Sequence, residues 1–265
     1  MIRTVRSNRT GLETALTRMF ALALAVLAML AVPVPPAMAN GNIVVPPQNT
    51  FDGQTYAEWS AQWFQWVMSL PFTHHPLFDT ADCSVGQRGN VWFIGGKLGA
   101  ASAGLTRQCT IPEGTALFLA VANASFDNTN CTQPIGGTID PTTFTVDQLR
   151  ANAAQNLEGF LDDKGQCTVD GQAVKNLLGP DTKYRVQSPV FDFTVPSVDN
   201  LLVLIDGDCY QNLAPNMLTV SPSVADGVYV LIKPLSVGEH TIKFGNPQGH
   251  PLGHTYHITV APDGS

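Results

Sequence analysis

From Tyr184 onward, the chain is a series of short apolar runs, separated from one another by glycine, proline and polar residues. Runs of this length with turn residues between them are typical of strands in an antiparallel sheet. The strands predicted in this part cover residues 184–195, 201–205, 217–220, 227–233, 240–244 and 255–260. Their close spacing predicts a mainly β protein, an antiparallel β-sandwich that is immunoglobulin-like toward its C terminus.

A tryptophan-rich helix is predicted in the N-terminal part of the chain. Thr55 and Glu58 have the spacing of a capping box, and Pro71 ends the helical pattern. Between these limits, aromatic residues recur on one helical face: Tyr56, Trp59, Trp63 and Trp66. Such a stripe usually packs against a sheet as core, which is the interpretation that we favour. The alternative is an exposed aromatic platform for sugar rings or lipid headgroups.

The middle of the chain adds two strands and one further helix. Residues 91–94 and 116–122 are apolar runs bounded by turn residues, so each predicts a strand, and the second run predicts a strand buried on both faces. Residues 97–106 are small and are interpreted as the tip of a hairpin. The second helix is predicted to begin at another capping box, formed by Thr145 and Gln148.

The N terminus has the pattern of a secretory signal peptide. Four arginines precede an apolar run over residues 20–32, and Ala37-Met38-Ala39 has the small-x-small spacing that signal peptidase recognises. The apolar run is shorter than the roughly 20 residues that span a bilayer. We therefore expect residues 1–39 to be removed by cleavage between Ala39 and Asn40. Residues 40–265 are then a single composite β-rich domain, secreted or periplasmic, with a sub-boundary near residue 184 left open.

The charge of the mature chain restricts its partners. Four of the 14 basic residues and one of the 21 acidic residues lie before Asn40, which leaves 10 basic and 20 acidic residues and a net charge of −10. Nucleic acids and anionic lipid surfaces are bound through Lys and Arg, so neither is expected as a partner. No transmembrane span is predicted in the mature chain, because no second apolar run approaches the required length.

All five cysteines lie in the part of the chain that is predicted to be exported. In an oxidising compartment, well-separated cysteines usually form disulfides. The favoured pairs join neighbours in sequence, Cys83 with Cys109 and Cys131 with Cys167, and leave Cys209 unpaired. Other pairings stay open, as does an intermolecular bond. No two cysteines have the C-x-x-C spacing, which argues against a zinc ribbon and against a thioredoxin-like site.

Sequence motifs for catalysis and phosphate binding are not found. The chain contains no G-x-S-x-G, and the glycine-rich segment 95–99 matches neither the dinucleotide-binding pattern nor the P-loop. Glu58 stands beside the tryptophans as the acid of a glycosidase would, but the capping box already explains its position. The catalytic residues of any enzyme activity are therefore unknown at this point, and no cofactor is expected.

The histidines are the remaining candidates for a metal site. His74 and His75 lie near Asp79, and His250 lies near His254. Histidines in loops are usually solvated or hydrogen-bonded to the main chain, so we expect no metal site at either place.

Three segments resemble those of an uncharacterised family of exported bacterial proteins. The segments are Trp59-Ser60 with Trp63 and Trp66; Cys83-x-x-Gly86-Gln87-x-Gly89-x-Val91-Trp92-Phe93; and Asp226-Gly227 followed by Pro234-Leu235-x-x-Gly238-x-His240-Thr241-Ile242-x-Phe244-Gly245. Together they extend over most of the mature chain, and the middle segment is fairly specific. The resemblance implies a bacterial source and a shared fold, and it carries over no activity and no catalytic residue.

A non-enzymatic module that binds a ligand or associates with the cell envelope is the function that we expect, since strands and disulfides suit a durable scaffold. Its partner is a glycan, an envelope component or another protein. The alternative is an extracellular hydrolase of a glycan, polyester or other polymer, with acidic residues and His74, His75 or His240 near its cleft. A pocket that gathers titratable groups would favour the hydrolase, and a groove or a flat surface with exposed aromatic residues would favour the binding module.

Overall fold

Two β-sheets and two helices make up the described part of the protein. The computed structural model describes residues 42–78, 82–96, 105–128, 144–159, 161, 165–179, 181–203, 218–245 and 253–262. The helices are α1 (Tyr56–Met68) and α2 (Val146–Glu158), and a 3-10 turn covers Phe72–His74. The strands are β1 (Val91–Ile94), β2 (Thr106–Pro112), β3 (Ala116–Asp127), β4 (Gln166–Val169), β5 (Gln172–Ala173), β6 (Arg185–Gln187), β7 (Phe191–Thr194), β8 (Thr219–Ile232), β9 (Gly238–Gly245) and β10 (His254–Ala261).

The protein is mainly β, as predicted, and both of its sheets are mixed. The first sheet has the order β1-β3-β8, and β6 and β7 pair with consecutive parts of β8 on its other side. The second sheet has the order β2-β10-β9-β4-β5. β1 pairs with β3 in parallel, and β2 pairs with β10 in parallel, while the other pairs are antiparallel. These two pairings depart from the antiparallel arrangement that the sequence predicts.

The chain crosses from the first sheet to the second between β1 and β2. Residues 97–106 therefore do not close a hairpin between these strands, contrary to the prediction, although residues 97–104 themselves lie outside the described part. The sequence does not predict β2 either. Its three buried side chains alternate with exposed polar ones, and one of the three is the charged Arg107, so the strand lacks a clear apolar pattern.

β8 is the central strand of the first sheet and is longer than expected. The sequence predicts two strands here, 217–220 and 227–233, because Asp226-Gly227 has the composition of a turn. In the structure both residues lie within one strand of 14 residues. Gly227 is required there by the ring of Tyr229, since a Cβ at this position would lie 2.7 Å from the ring. The glycine therefore marks a close contact within the strand.

Two other predicted strands are changed by the local chain path. The predicted strand 184–195 is divided into β6 and β7, because Pro189 has no N–H for the sheet ladder. The predicted strand 201–205 is wrong in its described part. The residues there form a helical turn in which the N–H of Val203 donates to the carbonyl of Asn200.

The last two strands form the predicted hairpin pair. β9 and β10 are antiparallel, with His254 opposite Phe244 and Ile258 opposite His240. Phe244, Tyr256 and Ile258 are buried toward the first sheet, as the alternation along both strands predicts.

The first sheet is buried on both of its faces. Side chains alternate along β3, so that Leu117 and Leu119 pack against the second sheet while Phe118 packs against α1. All three side chains are completely or almost completely buried. The layers are therefore α1, the first sheet and the second sheet, which explains the continuous apolar run in this part of the sequence.

α2 packs on the first sheet through Leu149, Ala153 and Leu157, which contact side chains of β3 and β8. It begins at the capping box of Thr145 and Gln148. Residues 42–265 form one compact unit. In the part of the chain that the structure describes, neither helix is long and apolar enough to cross a membrane.

The tryptophans of α1 are core residues. Trp59, Trp63 and Trp66 are 6%, 3% and 6% exposed. Each indole N–H donates to a main-chain carbonyl, in turn those of Phe51, Ile94 and Val85. The polar edge of each ring is therefore satisfied inside the protein. An exposed aromatic platform is not present on this helix.

The disulfide between Cys83 and Cys109 is formed, with a Cα–Cα distance of 5.8 Å. It connects the segment before β1 to β2, a strand of the second sheet. Cys167, the expected partner of Cys131, is a free thiol among the described residues. Burial raises the pKa of this thiol to about 12, which makes it unreactive at neutral pH. Cys131 and Cys209 lie outside the described residues.

Candidate functional site

His75 is a fully buried residue of the turn that follows α1. Its Nδ1 accepts from the N–H of Leu77 at 3.1 Å, so the proton is on Nε2, which donates to the carbonyl of Val67 at 2.9 Å. Burial lowers the pKa of His75; the bond to Val67 opposes this, and nearby Arg107 lowers the pKa further. The imidazole is therefore neutral, and both of its nitrogens are used to hold the turn.

We expect the stability of the protein to decrease as the pH is lowered through about 6.5, the ordinary pKa of histidine. The unfolded chain binds a proton at His75 more readily than the folded chain, so the contribution is complete above this pH and is lost below it. One such proton contributes a slope of at most about 1.4 kcal/mol per pH unit. The free energy of unfolding, measured with urea at several pH values between 5.5 and 7.5, should change less with pH in His75→Gln than in the wild type. An equal pH dependence in the two proteins would contradict the assignment.

His240 forms a second hydrogen-bonded arrangement, with Asp170 and Ser236. Its Nδ1 lies 2.7 Å from the carboxylate Oδ2 of Asp170, and its Nε2 lies 3.4 Å from the hydroxyl of Ser236. The order serine, histidine and aspartate is that of a hydrolytic triad. However, Nε2 is closer to the carbonyl oxygen of Ser236, at 2.8 Å. Because a carbonyl only accepts, Nε2 donates to it and is not oriented to take a proton from the hydroxyl.

Two groups of histidines were considered as metal sites from the sequence, and no metal was expected at either. The first is His74 and His75 with Asp79, and the second is His250 with His254. His75 is fully committed to main-chain bonds and His74 is exposed. Asp79 and His250 lie outside the described residues. Among the residues that are described, no group of three or more His, Cys, Asp or Glu side chains is placed to hold a metal ion.

Glu58 is explained by the helix that it caps. Its Oε2 accepts from the N–H and the hydroxyl of Thr55, at 2.7 and 2.8 Å. The hydrogen bond from the main-chain N–H of Thr55 is the largest cause of a lowered pKa of this carboxyl group, and the bond from the Thr55 hydroxyl lowers the pKa further. A glycosidase acid needs a raised pKa, so Glu58 lacks the character of a general acid.

An ion pair between the half-buried Arg185 and the buried Asp226 is a feature that the sequence does not reveal. The guanidinium Nε and Nη2 donate to Oδ1 and Oδ2 of Asp226 at 3.0 and 3.1 Å, and Gln187 donates to Oδ2 at 3.2 Å. Arg185 also contacts Glu158 of α2. These bonds connect α2 to the first sheet beside a cleft of about 400 Å³. Every group in the set has a partner, so a structural role accounts for it.

A larger cleft, of about 780 Å³, lies between α1 and the segment 86–93. We call it the α1 groove. Its helical wall carries Gln62 and Gln65, which lie three residues apart on α1, and Ser69, the C-cap residue of this helix. Gln62 bonds to Gln54, and Gln65 donates to the carbonyl of Asp192 at 2.8 Å. Each amide side chain of this wall is therefore held in one position.

The opposite wall of the α1 groove is anchored at several points. Gln87 accepts from the N–H of Phe93 at 2.8 Å and donates to its carbonyl at 2.6 Å, and it also donates to the carbonyl of Cys83 at 3.1 Å. Gly86 has φ +68°, and a Cβ there would lie 2.5 Å from a methyl group of Leu70. A glycine is thus required for the segment to approach α1 this closely.

The middle of the three sequence segments that carry the family resemblance builds this wall. Its cysteine forms the disulfide, its glutamine binds Phe93, and its first glycine contacts α1. The patterns in the sequence do not predict the groove. The available signal was the set of glycines and amides in this segment, which have no core role of their own.

Comparisons of the chain with protein-family models, with curated proteins and with solved structures give no significant match. The geometry of the described residues is therefore the basis for a functional proposal. The α1 groove is the larger of the two clefts, and its polar lining side chains are exposed or half-buried on an anchored frame.

Proposed function

We propose that this protein is an exported, non-catalytic binding module that associates with the cell envelope, and that the α1 groove is its ligand site. The observation that carries the proposal is the groove itself: a cleft of about 780 Å³ with polar walls, held open by a disulfide and side-chain bonds. Ligand sites are concave, largely preformed and of this size.

Two observations support export. The N-terminal pattern is that of a signal peptide cleaved between Ala39 and Asn40. The Cys83–Cys109 disulfide fits an oxidising compartment, the periplasm or the extracellular medium. A bacterial source, membership of the exported family named above and an immunoglobulin-like relationship of the sandwich are parts of the same proposal.

The titratable groups support a non-catalytic role. His75 is neutral and bound by the main chain, and Glu58 caps a helix. The buried carboxylate of Asp226 is neutralised by Arg185. None of the three lines the α1 groove, whose charged residues are Asp52 and Arg88.

An extracellular hydrolase is the second candidate, and the arrangement of Ser236, His240 and Asp170 is the observation in its favour. The serine hydroxyl would have to displace the Ser236 carbonyl from Nε2 before it transferred a proton. We therefore place the binding module first.

The proposal predicts that the purified protein sediments with isolated bacterial envelope in a saturable manner. Ser69→Trp places a large ring at the rim of the α1 groove, and it should abolish most of this binding. Thr110→Trp adds the same ring to an exposed position on β2, outside the groove, and should bind like the wild type. Failure of the wild type to sediment, or equal loss in both variants, would overturn the proposal.

A further inference from the structure

We infer that the α1 groove takes an uncharged, linear oligosaccharide. This inference rests on the proposed function and specifies the chemistry of its ligand. Four observations support it: the charge of the groove, the hydrogen-bonding groups of its walls, the length of the groove, and the edge of β1, whose main-chain groups at Phe93 are already bound by Gln87.

The charged side chains that line the groove are balanced. Asp52 and Arg88 contribute one charge of each sign, whereas the mature chain as a whole carries −10. A groove for an anionic glycan or an acidic peptide would carry an excess of Arg or Lys. The absence of such an excess among its lining residues favours a ligand without net charge.

Most polar side chains of the walls can both donate and accept hydrogen bonds. Gln62, Gln65 and Asn90 are amides and carry both functions, whereas the hydroxyl of Ser69 donates to the carbonyl of Trp66 at 2.8 Å and is left as an acceptor. Sugar hydroxyls have the same dual character and occur on every ring of a glycan. Because Gln62 and Gln65 are already held by protein partners, little side-chain freedom is lost when they bind.

The floor and the length of the groove fit several sugar rings in a row. Trp59, Trp66 and Phe93 contribute apolar surface to the floor, although the two indoles are almost entirely buried. The α1 residues that line the groove run from Trp59 to Trp66, which is roughly 10 Å along a helix, and Ser69 and Leu70 continue the lining past the helix end. The carbon-bonded hydrogens of a sugar ring can pack on such a floor while its hydroxyls reach the walls.

An extended peptide is the competing ligand, and the neighbouring strand edge argues against it. β1 is an edge strand of the first sheet, to which a peptide would add as a further strand. The amide of Gln87 already binds both the N–H and the carbonyl of Phe93, in the way that a peptide group would. The edge is thus closed at this residue by the protein's own side chain.

Isothermal titration with cello-, manno-, xylo- and chito-oligosaccharides tests the inference on the full mature protein. At least one of these series should bind, and longer members should bind more tightly than the monosaccharide. Gln62→Ala should weaken that binding by about tenfold, as expected for a lost hydrogen bond in a polar site. Gln108→Ala removes an exposed glutamine on β2 that does not line the groove, and it should leave the affinity unchanged. Thermal melting of both variants verifies that they are folded.

The outcomes separate this inference from the proposed function. Envelope sedimentation that no oligosaccharide series competes with would overturn the glycan and leave the binding module standing. Binding of an uncharged peptide that is lost in Gln62→Ala would likewise overturn the glycan and leave the binding module standing. Oligosaccharide binding that is equally strong in Gln62→Ala would place the sugar elsewhere and overturn the assignment to the groove.

Discussion

Replacement of Trp63 by alanine is expected to lower the free energy of unfolding by about 3–5 kcal/mol. The side chain is 3% exposed and lies between α1 and the first sheet. Its ring packs edge-to-face against Phe64 and Trp66, with centroids 5.0 and 6.1 Å apart. Its N–H donates to the carbonyl of Ile94 at 3.0 Å, so the substitution both opens a cavity and leaves a buried carbonyl without its partner.

Urea unfolding at constant pH measures this effect, and Trp63→Phe separates its two components. Phenylalanine restores most of the ring volume but cannot donate to Ile94, so its cost should be about 1–3 kcal/mol. Val237→Ala, at an exposed position, should change the stability by less than about 0.5 kcal/mol. A loss below about 1 kcal/mol for Trp63→Ala would mean that the ring is not part of the core.

The second large effect is expected at Arg185. Arg185→Ala leaves the carboxylate of Asp226, whose side chain is 2% exposed, with Gln187 as its remaining side-chain partner among the contacts described above. Removal of one partner from a buried pair costs about 3–5 kcal/mol, because the other charge stays buried without compensation. Arg185 itself is 30% exposed, so water can reach the site, and we expect a value near the lower limit.

Glu158→Gln provides the matched control, because it breaks the other ion pair of the same arginine. The side chain of Glu158 is 62% exposed, and such pairs contribute at most about 1 kcal/mol. In the Arg185→Ala background, Asp226→Asn should recover part of the lost stability, since it removes the uncompensated charge. Equal effects of Arg185→Ala and Glu158→Gln would show that Asp226 does not depend on the buried pair.

Local patterns in the sequence were sufficient for elements whose signals lie within a few residues. The capping boxes at Thr55 and Thr145 stand at the starts of α1 and α2, since a cap involves only residues three apart. The alternation in β9 and β10 identifies their inward faces in the same way. β2 was not predicted, because one of its buried positions holds the charged Arg107 and the strand therefore lacks a clear apolar alternation.

The cysteines show where a rule based on sequence alone succeeds and where it does not. The rule pairs cysteines that are neighbours in sequence, and it is correct for Cys83 and Cys109, which form a disulfide. Cys131 and Cys167 satisfy the same rule, yet Cys167 is a free thiol. It packs among apolar side chains of both sheets, which no spacing of cysteines encodes.

The candidate site was beyond prediction because its walls are distant in sequence. Gln62 and Asn90 are 28 residues apart in the sequence, and each residue alone has the character of an ordinary surface position. The roles of His75 and Gln87 also depend on main-chain groups that come near only after folding.

The sequence by itself determined the mainly β character, the helix starts and the inward faces of the last hairpin, because periodicity and caps act over one or two turns of chain. Only the tertiary structure decided the parallel pairings, the merging of two runs into β8, the burial of Asp226 beneath Arg185 and the existence of the α1 groove. These features depend on which distant segments meet, and that is set by the packing of two sheets and a helix into one core.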